Sequence, residues 1–153
     1  MLGRTKMLVK LSPNVGDIVA MARAAVDEGA DGLTLINTVS AMAIDVRTRK
    51  ARLSRGSGGL SGPAIHAIAV RMVFDVYREV ARGAGVPLIG LGGVVRWEDA
   101  AELILAGASA VGIGTGLFLD PTLAAAINRG LRRWVREQGA EQIEQLVGAA
   151  HGT

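Results

Sequence analysis

The sequence predicts an α/β fold of four βα units with parallel strands, which is half of an eight-stranded (β/α) barrel. Short apolar runs of strand length alternate with longer segments whose apolar residues recur at helical spacing. Two stretches also echo one another, Gly29-Ala-Asp-Gly-Leu-Thr-Leu-Ile-Asn-Thr38 and Gly107-Ala-Ser-Ala-Val-Gly-Ile-Gly-Thr115. Each reads as a helix end, a Gly-Ala turn and a strand, with two βα units between the copies. Finally, the last two strands end in small residues, Gly92-Gly93 and Gly114-Thr115, and barrels commonly bind phosphate at the carboxyl ends of strands seven and eight. The four strands are therefore read as strands five to eight. The chain's 153 residues suit one domain with a real core, whereas a whole barrel typically needs about 250.

In chain order, Met7–Leu11 is the first strand, and Ser12-Pro13-Asn14 stops it and starts a helix. Val15, Ile18, Val19, Ala22, Ala25 and Val26 form the apolar face of a helix from Val15 to Glu28, with Gly29 as its C′ glycine. The second strand is Gly32–Asn37. Residues 39–62 form an excursion too long for an ordinary βα loop. Within it Met42–Val46 and Ala51–Leu53 flank Arg47-Thr-Arg-Lys50, the pattern of a β-hairpin with a charged turn. A strongly periodic helix from Ala64 to Arg82 follows, then the strand Pro87–Gly93, the helix Trp97–Leu105 with Gly107 as terminator, and the strand Ala110–Thr115. Asp120-Pro121 reads as an N-cap and N1 proline opening a helix through about Gln138, with Trp134 on its apolar side. A last short helix, Glu141 to Val147, is expected to pack through Ile143, Leu146 and Val147.

Half of the residues are hydrophobic and only 3% are aromatic, and 21 are glycine, as suits many βα turns and close helix–strand contacts. A net charge of +3 is too mild to imply nucleic acid. Cysteine is absent, so there is no disulfide, no thiolate metal site and no cysteine nucleophile, and two isolated histidines, His66 and His151, cannot build a metal cluster. His66, near the start of its helix, reads most simply as a surface residue. Met1–Lys6 lacks the apolar run of a leader and no window reaches membrane-spanning length, so a soluble cytoplasmic protein is expected, with no membrane partner.

Four features point toward a ligand. Lys10 lies inside an apolar strand, where a charge is costly unless its end reaches a polar cavity, although an edge strand would also let it snorkel to water. Asn37-Thr38 stands at the end of a parallel strand, where ligands bind, yet strand-end Asn is often only a turn former. The glycine-rich run Gly56–Gly62 leads into Pro63 at a first helical turn, a geometry suited to anions. Gly92-Gly93 and Gly114-Thr115 present bare backbone N–H groups that either cradle a phosphate or merely make tight turns. Arg47, Arg49, Lys50, Arg52 and Arg55 make the hairpin the most basic region, most simply a solvated tip.

Six motifs in order, VKLSPNV (Val9–Val15), INT (Ile36–Thr38), MAIDVRTRKARL (Met42–Leu53), GGLSGPAI (Gly58–Ile65), IGLGGV (Ile89–Val94) and GIGT (Gly112–Thr115), resemble dihydroorotate dehydrogenases. The likeness is greatest to the class 1 type that works with a separate electron-transfer subunit, the NAD-linked 1B catalytic subunit. It covers nearly the whole chain. The resemblance implies the carboxyl-terminal half of a (β/α)8 TIM barrel that uses FMN to oxidise dihydroorotate to orotate in pyrimidine synthesis. On that likeness Lys10 would stand at the flavin's pyrimidine edge and Ile36 would contact the flavin. Asn37 and Thr38 would hydrogen-bond orotate, Gly62 would bind flavin, and Gly92, Gly93, Gly114 and Thr115 would hold its phosphate. Gly112 departs from the family pattern, in which a larger polar residue is usual.

In the resembled enzymes the remaining flavin contacts, several orotate ligands and the cysteine base precede the lysine strand. No catalytic base is assigned to this chain, and none of its residues is expected to bind metal. Four parallel strands leave two bare sheet edges. The implied partners are therefore an amino-terminal barrel half or a second copy, and an FAD and iron–sulfur electron-transfer subunit. Two other readings of the same residues are a non-catalytic flavin- or phosphate-binding half-barrel and a purely structural half-barrel that dimerises.

Overall fold

The computed structural model describes residues 5–152. Met1 to Arg4, and with them most of the polar amino-terminal stretch, lie outside the described residues. Four parallel strands, β1 (Leu8–Leu11), β2 (Gly32–Leu35), β7 (Leu88–Leu91) and β8 (Ala110–Gly112), make one sheet in the order β1-β2-β7-β8. Register runs Leu11 with Leu35, Leu35 with Gly90, and Leu91 with Gly112, so all four carboxyl ends reach the same rim. This is the half-barrel that the alternating apolar pattern predicts.

The intervening excursion carries two antiparallel ribbons rather than one. The inner ribbon pairs β3 (Val39–Ala41) with β6 (Gly58–Leu60), and the tip pairs β4 (Ile44–Asp45) with β5 (Lys50–Ala51). The tip is the expected hairpin, shorter at both ends. The inner ribbon carried no sequence signal, because β6 is Gly-Gly-Leu and glycine is depleted in strands. At the tip the Asp45 carboxylate accepts the Arg47 and Thr48 N–H groups, which holds its pKa below the usual value.

Helix α1 (Ile18–Asp27) starts three residues later than expected, because the Asp17 carboxylate accepts the Ala20 N–H and so caps it there. After Gly62 the chain turns through a 3₁₀ segment (Pro63–Ile65) into α2 (His66–Val76), a π-helical stretch (Tyr77–Ala81) and α3 (Arg82–Ala84). α4 (Trp97–Ala106) follows, and a four-residue helix, α5 (Gly116–Leu119), was not foreseen. Helix α6 (Leu123–Glu137) begins after Thr122, not at Pro121. The Asp120 carboxylate instead accepts the Thr122 N–H and hydroxyl, which closes a turn ahead of the helix. The last helix expected over Glu141 to Val147 is a single 3₁₀ turn, Ile143–Leu146, and a further 3₁₀ turn, Ala149–His151, follows beyond it.

The two echoing stretches stop their helices in the same way. Gly29 and Gly107 donate to the Val26 and Ile104 carbonyls, and Ala30 and Ala108 to the Ala25 and Leu103 carbonyls. Leu33, Leu35, Leu88, Val73, Val76, Leu103 and Ile104 are fully buried between the sheet and its helices. Trp134 and Val135 of α6 make a second cluster with Ala101, against which Ile143 and Leu146 pack. Among the described residues no helix is long and apolar enough to cross a membrane.

Candidate functional site

At the carboxyl rim of the sheet lies a cavity of about 280 Å³. Lys10, Ile36, Asn37, Thr38, Gly62, Gly92, Gly93, Gly114 and Thr115 all line it, so the structure gathers every site residue expected from sequence around one space. They come from four strand ends and from the loop that precedes α2. The parallel register explains the gathering, since pairing Leu11 with Leu35, Leu35 with Gly90 and Leu91 with Gly112 brings the four strand ends to one rim.

Lys10 is not buried, so of its two sequence readings the edge-strand one holds. β1 is an edge strand, and the Lys10 side chain is exposed along the open flank of the sheet while still lining the cavity. Among the described residues that line the cavity it is the one that carries charge. Ile36 is buried and donates its N–H to the Leu91 carbonyl, at 2.7 Å. Asn37 is exposed and donates its backbone N–H to the Leu11 carbonyl, and its side-chain oxygen accepts the Thr38 N–H.

The glycines at the rim are there for space. On Gly93, at φ +69, an added Cβ would lie 2.7 Å from the Gly62 carbonyl oxygen, so the two loops touch backbone to backbone. Gly114 has nothing within 4 Å of an added Cβ, which leaves its backbone open to the cavity. The N–H groups of Gly93, Gly114 and Thr115 have no backbone acceptor among the described residues. Such unpaired donors at a sheet rim form an anion-binding concavity. The Thr115 hydroxyl donates to the Ser61 hydroxyl at 2.8 Å and so ties the last strand end to the glycine-rich loop. Where Gly112 lacks a side chain, Leu91 supplies one, its Cδ1 lying 2.1 Å from where a Cβ would sit.

Several contributors were missed in the sequence. Ser61, Phe118 and Leu119 also line the cavity, and Phe118 and Leu119 are almost fully exposed, at 92% and 85%. Two adjacent exposed apolar residues just before Asp120 are a signal that the helix-cap reading passed over. Asn14 bridges the loop after β1 to the strand end after β2: its side-chain amide donates to the Thr38 carbonyl and its oxygen accepts the Ser40 N–H. His66, expected at the surface, has a side chain only 13% exposed, turned onto the Gly92 carbonyl. The helix that carries it lies directly over the β7 strand end, which periodicity alone does not reveal.

The cavity is thus mostly apolar, with one cation, an Asn-Thr pair and a set of unpaired backbone donors. That donor set suits an anion carried on a flat apolar body. Among the described residues, no histidine, cysteine, aspartate or glutamate lines it.

A family model described as dihydroorotate dehydrogenase matches residues 3–135. The catalytic subunit of dihydroorotate dehydrogenase B (NAD(+)) from Pelobacter propionicus is 52% identical over 143 residues, covering 94% of this chain and 46% of that protein. The corresponding subunit from Desulforudis audaxviator is 51% identical over 150 residues, covering 98% of this chain and 48% of the relative. Among solved structures, the dihydroorotate dehydrogenase of Eimeria tenella in complex with ferulenol superposes with a TM-score of 0.80 at 28% identity, covering 98% of this chain and 39% of that one. The chain spans about half the length of the curated relatives it matches. By the family-model match and these identities, the chain belongs to the dihydroorotate dehydrogenase family.

Proposed function

We propose that this chain supplies the carboxyl-terminal half of an FMN site that oxidises dihydroorotate to orotate in pyrimidine synthesis. The single observation that carries the reading is the gathering of Lys10, Asn37-Thr38, Gly62 and the two strand-end pairs around one cavity. The donor set fits the group: unpaired N–H groups at Gly93, Gly114 and Thr115 match a phosphate, and the apolar wall of Ile36 matches a flat ring. When bound, FMN would accept the hydride that dihydroorotate gives up. Lys10 stabilises negative charge at one edge of the site, as the cavity's one cation. Asn37 and Thr38 hold the substrate by hydrogen bonds.

The proton that leaves dihydroorotate needs a base, and among the described residues no histidine, cysteine or carboxylate lines this cavity to take it. The base belongs to an amino-terminal barrel half, which would also pair with the open edges of β1 and β8. A second copy of the chain is the other candidate for those edges. The relatives named as catalytic subunits of an NAD(+)-linked enzyme support a separate partner subunit, which on the family resemblance would be an FAD and iron–sulfur electron-transfer subunit.

Purified chain carrying visible flavin absorption, bleached by dihydroorotate only when the cysteine-bearing half is added, is the expected result. Failure to take up flavin with or without that half overturns the proposal. The base-free cavity also favours one second reading, a flavin- or phosphate-binding half-barrel without catalysis. Flavin that stays oxidised under dihydroorotate even with both halves present would select it.

A further inference from the structure

Gly92 and Gly93 share a peptide whose two ends face different surroundings. The Gly92 carbonyl lies 2.8 Å from Nδ1 of His66, the first residue of α2. A carbonyl oxygen only accepts, so Nδ1 carries the proton and donates it. In a trans peptide the carbonyl and the next N–H point in opposite directions. By gripping the Gly92 carbonyl from the helix side, His66 turns the Gly93 N–H away from α2. That N–H has no backbone acceptor among the described residues, and Gly93 lines the cavity.

We infer that His66 is a positioning residue for the anion cradle: its imidazole fixes the Gly92–Gly93 peptide so that the Gly93 N–H is presented to a phosphate. This rests on the phosphate reading of Gly92-Gly93 proposed above.

Three further contacts leave the peptide little freedom. An added Cβ on Gly93 would lie 2.9 Å from the His66 Cβ and 2.7 Å from the Gly62 carbonyl oxygen, so histidine, glycine turn and Gly62 loop are in direct contact. On its other side, Cβ on Gly92 would lie 2.6 Å from Cβ of Ala69, one helical turn beyond His66. The His66 Nε2 edge lies 3.6 Å from the Glu102 carboxylate of α4, within ion-pair distance. At that distance Nε2 makes no hydrogen bond among the described residues, so the ring's one hydrogen bond is the one from Nδ1 to the Gly92 carbonyl. His66 does not line the cavity itself, so its effect runs through the peptide it holds.

FMN and riboflavin, which differ only in the phosphate, are the probes, each titrated into the full chain by quenching of flavin fluorescence. Wild type is expected to prefer FMN. His66→Phe keeps a ring but has no donor, and should reduce the preference for FMN about tenfold while riboflavin affinity is retained. His66→Asn restores a donor near the Nδ1 position and should recover most of the preference. Equal weakening of both ligands in His66→Phe, or an undiminished preference for FMN, overturns the inference. So does a His66→Asn protein that folds and behaves like His66→Phe. Wild type with no preference, and with no shift of the Gly93 amide resonance on adding inorganic phosphate, overturns the phosphate reading itself, an outcome distinct from failure of the histidine's role.

Discussion

The Asn14 side-chain amide donates to the Thr38 carbonyl at 2.9 Å and so fastens the loop after β1 to the strand end that follows β2. The same side chain accepts the Ser40 N–H at 2.7 Å. Asn14 therefore holds the backbone on both sides of Val39, directly after Thr38, without lining the cavity. Asn14→Ala should cost about 1–2 kcal/mol of stability, the net worth of two partly solvated hydrogen bonds. If Asn37 and Thr38 bind orotate, the variant should also weaken orotate binding through displacement of the pair. Urea unfolding and orotate titration of the same protein test both, and unchanged orotate affinity would show that the pair is held without Asn14.

Gly130 lies at the crossing of α4 and α6, where an added Cβ would be 2.3 Å from Cγ of Trp97. Alanine in place of a helix-interior glycine ordinarily stabilises by about 1 kcal/mol. Here the sign is reversed, because the Trp97 Cβ, the root of the side chain, would itself lie 2.4 Å from the added Cβ, and the Trp134 ring stands 6.5 Å from the indole between centroids. Gly130→Ala is expected to destabilise by about 1–3 kcal/mol through overpacking. Thermal unfolding gives the sign directly.

What the sequence made legible follows from periodicity. The strands and helices depend on patterns of two and three-to-four residues, which survive without knowledge of tertiary contacts, and the Gly29 and Gly107 stops on glycine after a periodic run, whereas Ile36 joined the expected site only through the family resemblance. The exposure of Lys10 was not legible, since an apolar run looks the same in a central strand and an edge strand. The position of β1 at the sheet's edge is set by which strands the chain contains. His66 was misread because histidine at a helix start carries no mark of what the first turn packs against. The inner ribbon was hidden by Gly59, which has almost no strand propensity but is required where its backbone passes Thr38: an added Cβ would lie 2.2 Å from the Thr38 hydroxyl. Glycine there reports close approach, a tertiary fact.

The turn ahead of α6 should respond to acid. The Thr122 hydroxyl and then its N–H hydrogen-bond to the Asp120 carboxylate and hold its pKa below the ordinary 3.8. A carboxyl whose folded pKa is depressed stabilises the fold above its unfolded pKa, and loses that contribution as pH falls through the folded value. Wild type should therefore be more stable than Asp120→Ala at neutral pH, with the gap closing as pH is taken below 3.8. Unfolding curves of the two proteins at matched pH decide it, and a gap independent of pH would assign the effect to chain entropy instead.

Lys10 separates ligand chemistry from stability. Its side chain is exposed on an edge strand, so Lys10→Ala should change the unfolding free energy by less than about 0.5 kcal/mol. If it stands beside the flavin, removing the cavity's one cation withdraws a charge-assisted contact from the reduced, anionic ring. Such a contact is worth roughly 1.5–3 kcal/mol, which for a two-electron couple is a potential lower by about 30–60 mV. Oxidised flavin should bind with a smaller change in affinity, because the neutral ring has less charge for the lysine to stabilise. Redox titration of bound flavin in wild type and variant reads the difference. A potential unmoved by the substitution would remove Lys10 from the site while leaving the phosphate cradle at Gly93, Gly114 and Thr115 untouched.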